Sequence, residues 1–362
     1  MNSHAEIAPS SMARTVQCQG SVKLCKMFPS QPNESSLEGE AAHWLAHQYA
    51  DLSTSEVYYD VASNGIEITY EMREGAELWL GACQRHEGIA WHLEETAKHP
   101  VIHEKCWGTP DFWAYDAKTK TLHVMDYKFG FGYVDVKTNW QLITYALLII
   151  YANGLKPDSI EMTIVQPRYY GKDGPDRSTS LRMDQLLLYL PGLQRIASLA
   201  LSDNAICVVG PECRYCSARV RCETNQQASG AFCEFAGKPV PIDLTNDQMA
   251  REYKLLNEIE ELISSRRKGL EQELMGLLKI GQDIPGYQLE QGYGRERWKS
   301  GTREVKALGE MFGVKTVLEI PITPKQAIKA GMLESVVRTN SETPLGALKL
   351  IETQDKTKRY FK

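Results

Sequence analysis

Gly108-Thr-Pro-Asp111-Phe-Trp-Ala-Tyr-Asp116, followed after a polar turn by Thr121-Leu-His-Val-Met-Asp126-Tyr127-Lys128, is the stretch on which the fold turns. Two apolar and aromatic runs flank Asp116-Ala-Lys-Thr-Lys120, so Gly108–Asp116 and Thr121–Phe129 read as the strands of a hairpin. Side chains two apart on a strand share a face. Asp126 and Lys128 therefore project together, while Tyr127 points to the other face. A hairpin brings Asp111 alongside them. Two carboxylates and one ammonium at one end of a sheet suit Mg²⁺ or Mn²⁺, which take oxygen ligands and keep waters for a substrate phosphate. Such an ion polarises a phosphoryl oxygen and lowers the pKa of an attacking water. Lys128 would orient the water or offset charge in the transition state. A lone Asp-x-Lys is ordinarily a surface pair, so the reading depends on its neighbours.

On either side of the hairpin the pattern alternates between helix and strand. Ser10-Ser11 caps a first helix running to about Cys18, and Ser35–Asp51 is a second. Residues 67–98 carry helical spacing up to Pro100. Asn139–Ala152 is a strongly apolar helix stopped by Asn153-Gly154. Ser159–Gln166 is a further strand, and Met183–Ser202 is helical with a break at Pro191-Gly192. This order predicts an α/β (α+β) fold, a mixed central sheet flanked by helices. A boundary is expected at Ala236–Leu244, where Gly and Pro cluster. It divides a domain over 1–240 from an accessory domain over 241–362. The accessory domain opens with an amphipathic helix, Asn246–Leu278, whose stripe is Leu255, Ile259, Leu262, Leu270, Leu274 and Leu277. A hairpin over Ile284–Lys299 turning at Gly292-Tyr-Gly294, a Thr323–Gly331 helix and a basic tail, Lys356–Lys362, complete it.

Composition is that of an ordinary globular protein, 43% hydrophobic and 24% charged, with a formal net charge of −5. That balance does not advertise a nucleic-acid binder, but a local basic patch would suffice. The longest apolar run, Ala146–Ala152, is too short to span a membrane. Met1–Arg14 is polar and lacks the core of a signal peptide, so a cytoplasmic protein is expected. The nine cysteines do not form a disulfide framework in such a chain. Three of them, Cys213-x-x-Cys216 and Cys222, fall within ten residues, which is ligand spacing.

Four elements occur in a telling order. They are Gly39-x-x-x-His43, Gly108-x-x-Asp111, Asp126-Tyr127-Lys128 and Gln141-x-x-x-Tyr145, the last pair sharing one helix face. Together they resemble the RecB-type branch of the PD-(D/E)xK phosphodiesterase superfamily. The resemblance implies a restriction-endonuclease-like core and DNA hydrolysis. It implies metal binding by His43, Asp111, Asp126 and the Tyr127 carbonyl, with Lys128 catalytic. Gln141 and Tyr145 would support the site or the DNA. Some nucleases of this branch, the AddB subunit and the CRISPR-adaptation nucleases among them, carry an iron–sulfur staple with one cysteine before the core and three after it. Cys213, Cys216 and Cys222 match the three. Cys18 and Cys25 are candidates for the fourth, and Cys18 is preferred because Cys18-Gln-Gly-Ser-Val-Lys-Leu24 resembles the start of phage homologues, with Gln19 where Pro is usual. Four thiolates hold a 4Fe–4S cluster or a structural Zn²⁺, and spacing does not separate the two. Cys83, Cys106, Cys207 and Cys233 read as structural.

The C-terminal segments Ile284-Pro-Gly-Tyr-Gln-Leu-Glu290, Arg295-Glu-Arg-Trp298 and Ile322-Thr-Pro-Lys-Gln-Ala327 resemble an uncharacterised phage and prophage family with this core. That implies an exonuclease in phage recombination or end processing, acting on duplex ends or single strands in the bacterial host cytoplasm. A separate annealing protein or helicase would be its partner. Tyr293, Arg295, Arg297, Trp298 and Lys299 form a basic-aromatic cluster suited to stacking on bases or to packing within a hairpin. The competing function is a catalytically silent DNA- or protein-binding module with a structural metal.

Overall fold

The expected hairpin lies near the middle of a five-stranded sheet. The structure, a computed structural model, describes residues 5–30, 32–171, 173–236 and 245–289, with the single positions 307, 310, 311 and 335. The strands are β1 (Trp91–Leu93), β2 (Ala97–Lys98), β3 (Trp107–Gly108), β4 (Phe112–Asp116), β5 (Thr121–Tyr127), β6 (Ser159–Val165) and β7 (Asp176–Arg182). The main sheet runs β1-β4-β5-β6-β7, and β2 pairs with β3 apart from it. β4 and β5 are antiparallel, with Phe112 opposite Met125. β5 and β6 are parallel, Asp126 beside Ile164. β1–β4 and β6–β7 are antiparallel, so the sheet is mixed.

A parallel pair needs a crossover, and α5 (Trp140–Asn153) supplies it. Its start is fixed by the Asn139 side chain, which accepts from Leu142 N, and it stops at the left-handed Gly154. Leu142 to Ile150 are all buried, so α5 is sheathed on every side. It packs on one sheet face through Leu122, Val124, Ile160, Met162 and Ile164. α1 (Met12–Gln17) and α7 (Leu190–Leu201) join that layer. The opposite face, with Phe112, Ala114, Met125, Tyr127 and Val165, is covered by α3 (Glu34–Asp51) and α4 (Tyr70–Gln84). α2 (Ser21–Met27) and α6 (Met183–Leu187) are short connecting helices. This is an α+β fold of three layers.

Several boundaries differ from the sequence expectation. The helix expected over 67–98 is only α4, which starts where Thr69 accepts from Met72 N. Gly88, at φ +93°, ends the helical region, and the rest folds back as β1 and β2. Gly108–Asp116 is not one strand. Pro110 has no N–H for a ladder, and the chain changes partner there, β3 pairing with β2 and β4 with β5. Asp111 therefore sits in the joint between them. The break expected at Pro191-Gly192 falls earlier, at Leu188-Tyr189, and Pro191 occupies the first turn of α7, where a missing N–H costs nothing. β7 escapes the alternation rule because its sequence is polar and it is an edge strand.

α8 (Glu223–Ala236) and α9 (Asn246–Lys279) follow. α9 packs on α8 and on the 3-10 turn Pro211–Tyr215. Its closest contact is made not by the leucine stripe but by Ser265 and Gly269, the latter lying against Arg219 and Val220. Leu255 and Leu270 of the stripe are exposed. The chain divides into two compact units, Met1–Tyr293 and Gly294–Lys362. The boundary loop expected at Ala236–Leu244, the hairpin tip, the basic-aromatic cluster from Tyr293 to Lys299, the Thr323–Gly331 helix and the tail lie outside the described residues. Among the described residues no helix is long and apolar enough to cross a membrane.

Candidate functional site

β5 carries its inward face straight into the site. Leu122 and Val124 meet α5, and Asp126, next on that face, meets the first turn of the same helix. Asp126 is only 1% exposed. The Lys128 ammonium lies 3.0 Å from Asp126 Oδ1 and 2.8 Å from Oδ2. Gln141 Nε2 donates to Oδ1 at 2.7 Å, and Gln141 Oε1 accepts from Lys128 at 3.2 Å. Oδ2 is buried and receives no aligned hydrogen bond, only the ionic contact. A buried carboxylate oxygen left in that state is a ready acceptor for a cation. Burial pushes the Lys128 ammonium towards neutrality, but Asp126 and Asp111 beside it raise its pKa above the ordinary value, so it stays charged.

Asp111 closes the site from the β3–β4 joint. Its Oδ2 accepts from Tyr127 N at 2.8 Å and stands 3.7 Å from His43 Nδ1 of α3. Burial pushes the Asp111 carboxyl up and the Asp126 charge adds to the rise, while His43 and Lys128 oppose it. The pair thus concentrates negative charge that Lys128 and His43 offset only in part, a condition that a divalent ion would relieve further. Tyr145, one turn beyond Gln141, donates to Thr109 O at 2.9 Å and so pins the joint that carries Asp111. Burial drives the Tyr145 hydroxyl well above its usual pKa and keeps it a neutral donor. The glycine of the Gly108 motif has a steric cause. A Cβ there would stand 2.7 Å from Pro9 Cδ and 3.1 Å from Tyr145 Cε1. Tyr127 turns its ring to the other face, edge-on to His43 and Trp79. His43, Asp111, Asp126, Lys128, Gln141 and Tyr145 are therefore gathered in one corner.

Two features there were not anticipated. Glu94 lines the small pocket shared by His43, His47, Asp111 and Tyr127. Its N–H donates to Asp111 O at 3.3 Å, and its φ of +45° is unusual for a non-glycine residue. Beyond Lys128, Gln166 Nε2 donates to Gly130 O and Gly132 O, both at 2.7 Å, and holds out a loop tipped by Phe131 and Tyr133. Those rings are 66% and 52% exposed. Arg168 lies 3.8 Å over Phe129 and 4.7 Å over Phe131, and is paired with Glu38 and Glu71.

A histidine pair on the covered face adds a pH response. The rings of His86 and His123 are 4.4 Å apart, and His123 Nδ1 is 3.1 Å from Glu161. Burial, then His123 and Arg85, lower His86 from 6.5 to about 4. Between those values the unfolded chain binds the proton and the folded one does not. Stability therefore rises with pH through this window and is lost as pH falls from 6.5 towards 4. His86→Gln is expected to flatten that slope in denaturation midpoints measured across the window; an unchanged slope would contradict it.

The cysteines meet at a second place. Cys18, Cys207, Cys213, Cys216 and Cys222 line one small cavity. Cys18 caps α1, Cys213 lies in the turn Pro211–Tyr215, Cys216 closes it, and Cys222 precedes α8. Backbone and side chains sew the two ends of the first unit together. Gly20 N donates to Ile206 O at 2.8 Å, Val208 N to Cys18 Sγ at 3.3 Å and Glu212 N to Gln17 Oε1 at 2.9 Å. Gly20 allows this closeness, since a Cβ would fall 2.6 Å from Cys207 Sγ and 2.9 Å from backbone atoms. Cys25 is off the cavity wall, its sulfur 3.6 Å from that of Cys216.

Cys207, read as structural, stands in the same wall with Cys18 and Cys222 as neighbours, and burial followed by those two sulfurs pushes its thiol up to about 12. Cys83 and Cys106 are buried core residues, burial pushing Cys106 up to about 12. The Cys233 side chain lies outside the described residues. Among the described residues no three His, Cys, Asp or Glu side chains are drawn together tightly enough to hold a bare ion, at the cysteine cavity or at the Asp111–Asp126 corner.

The family model described as "Protein of unknown function (DUF2800)" matches residues 4–358. The chain belongs to the DUF2800 family. In this DUF2800 chain the carboxylate corner and all the cavity cysteines fall inside the matched stretch.

Proposed function

We propose that the protein is a metal-dependent DNA nuclease of the RecB-type PD-(D/E)xK kind, an exonuclease that hydrolyses phosphodiester bonds. The observation that carries this reading is the buried Asp126 carboxylate, bonded by both Lys128 and Gln141 and close to Asp111, which itself stands 3.7 Å from His43. His43, Asp111, Asp126 and the Tyr127 carbonyl would hold Mg²⁺ or Mn²⁺, which supplies positive charge to the scissile phosphate and acidity to water. The charged Lys128 offsets the charge that grows on the phosphoryl oxygens. Gln141 holds Lys128 and Asp126 in register, and Tyr145 holds Asp111. The exposed rings of Phe131 and Tyr133 suit stacking on unpaired bases, which favours a strand end as substrate.

In the second site Cys18, Cys213, Cys216 and Cys222 would hold a 4Fe–4S cluster. Four thiols gathered at one cavity suit such a cluster, with a structural Zn²⁺ as the alternative occupant. The role is structural, a staple across the unit. The test of the activity is incubation with end-labelled duplex and single-stranded DNA and Mn²⁺. Metal-dependent shortening of the label, abolished by Lys128→Ala, is expected. Intact DNA with the wild-type protein at stoichiometric amounts would leave a silent binding module as the function.

A further inference from the structure

The walls of the cysteine cavity hold more than thiols. Arg14, Gln17, Arg219 and Asn225 line it, and each has a buried nitrogen with no hydrogen-bond partner: Arg14 Nε, Gln17 Nε2, Arg219 Nε and Asn225 Nδ2. Asn225 is 1% exposed, and its Oδ1 is equally unpartnered. Buried polar groups are ordinarily satisfied, so four orphans around one cavity ask for a partner. Three of the four side chains are fixed from behind. Arg14 Nη1 donates to Tyr215 O at 2.9 Å, Gln17 Oε1 accepts from Glu212 N at 2.9 Å, and Arg219 Nη1 donates to Arg214 O at 2.9 Å. Each anchor consumes one end of the side chain and leaves an N–H unpaired. Besides the Gln17 and Asn225 carbonyl oxygens and the Ser21 hydroxyl, the side-chain acceptors that line the cavity are sulfurs.

We propose that Asn225, with Gln17, Arg14 and Arg219, forms a ring of N–H donors to the sulfur atoms of a cluster bound in this cavity, and that this ring sets the cluster's reduction potential. The inference rests on the iron–sulfur reading above. A thiolate-held cluster is anionic, and one-electron reduction makes it more so; N–H donors and two guanidinium groups favour the reduced form and raise the potential. Asn225 is the clearest position because its buried amide has no aligned partner and lies within reach of the Cys213 sulfur. These are positioning residues, acting on the cluster and not on DNA.

The experiment is a dithionite titration, followed by electron paramagnetic resonance, of the full chain purified without oxygen. Iron and sulfide are counted in the same samples. Asn225→Asp keeps the size and removes the donor; Asn225→Gln keeps a donor. Asn225→Asp is expected to hold the wild-type iron and sulfide and to be reduced at a more negative potential, with Asn225→Gln lying nearer to wild type. Equal potentials in wild type and Asn225→Asp at equal iron would overturn the donor ring and leave the cluster standing. If Asn225→Asp does not assemble, Gln17→Met takes its place with the same expectation. Wild-type protein without iron and sulfide would remove the cluster, and the inference with it.

Discussion

Asp126→Asn is expected to lower DNA cleavage by on the order of 10³-fold, the scale of a single charge-stabilising group in a dry site. The same change should cost stability. It takes from the Lys128 ammonium the carboxylate that it is bonded to and leaves it only the longer-range charge of Asp111, and breaking a buried pair in this way costs about 3–5 kcal/mol. Asp111→Asn should be as inactive but not destabilised. Its oxygen can still accept from Tyr127 N, and the neutral side chain removes the repulsion between Asp111 and Asp126. Cleavage rates and metal-free denaturation curves for both variants check this. Equal losses of stability would mean that the two carboxylates do not stand in the different environments described here.

The second large effect is on the cysteine site. Cys222→Ser and Cys18→Ser are expected to lose the bound iron, and Cys207→Ser to keep it. A cross-link between Cys18 and Cys213 closes nearly two hundred residues, and on the loop-entropy scale that contributes about 5 kcal/mol. The melting temperature of the iron-free variants should fall accordingly. Limited proteolysis should then cut first on either side of the turn Pro211–Tyr215, whose ties to α1 pass through Arg14 and Gln17. Unchanged iron in Cys18→Ser together with loss in Cys207→Ser would exchange the two thiols as ligands.

The candidate corner was legible because it depends on short periods. The two-residue repeat of β5 puts Asp126 with Leu122 and Val124 and sends Tyr127 to the opposite core. The four-residue repeat of α5 puts Gln141 and Tyr145 on one face, where both are found bonded to the site. Asn139 and Gly154 marked the ends of that helix in advance. What escaped depends on chain reversals. Glu94 reaches the pocket only because the segment after Gly88 leaves helical spacing and returns as β1. Cys207 has no ligand spacing to Cys213; it reaches the cavity because the 206–208 segment pairs with Gly20 and Cys18. Phe131 and Tyr133 belong to no motif in the sequence, and their loop is held by Gln166, a contact across more than thirty positions.

Asp111 shows both sides of this. Its chemistry was readable from Gly108-x-x-Asp111, but its place was not. It belongs to a joint stopped by Pro110 and pinned by Tyr145, not to a continuous strand. That matters for a metal site, because a ligand on a braced joint is held by two elements at once. The same bracing gathers like charge that only a cation relieves.

The most direct test of the nuclease assignment is a crystal soaked in Mn²⁺ and measured at the manganese edge. An anomalous peak bounded by the side chains of His43, Asp111 and Asp126 is the expected result. A peak elsewhere, or none at that corner while the crystal takes up manganese, would contradict it.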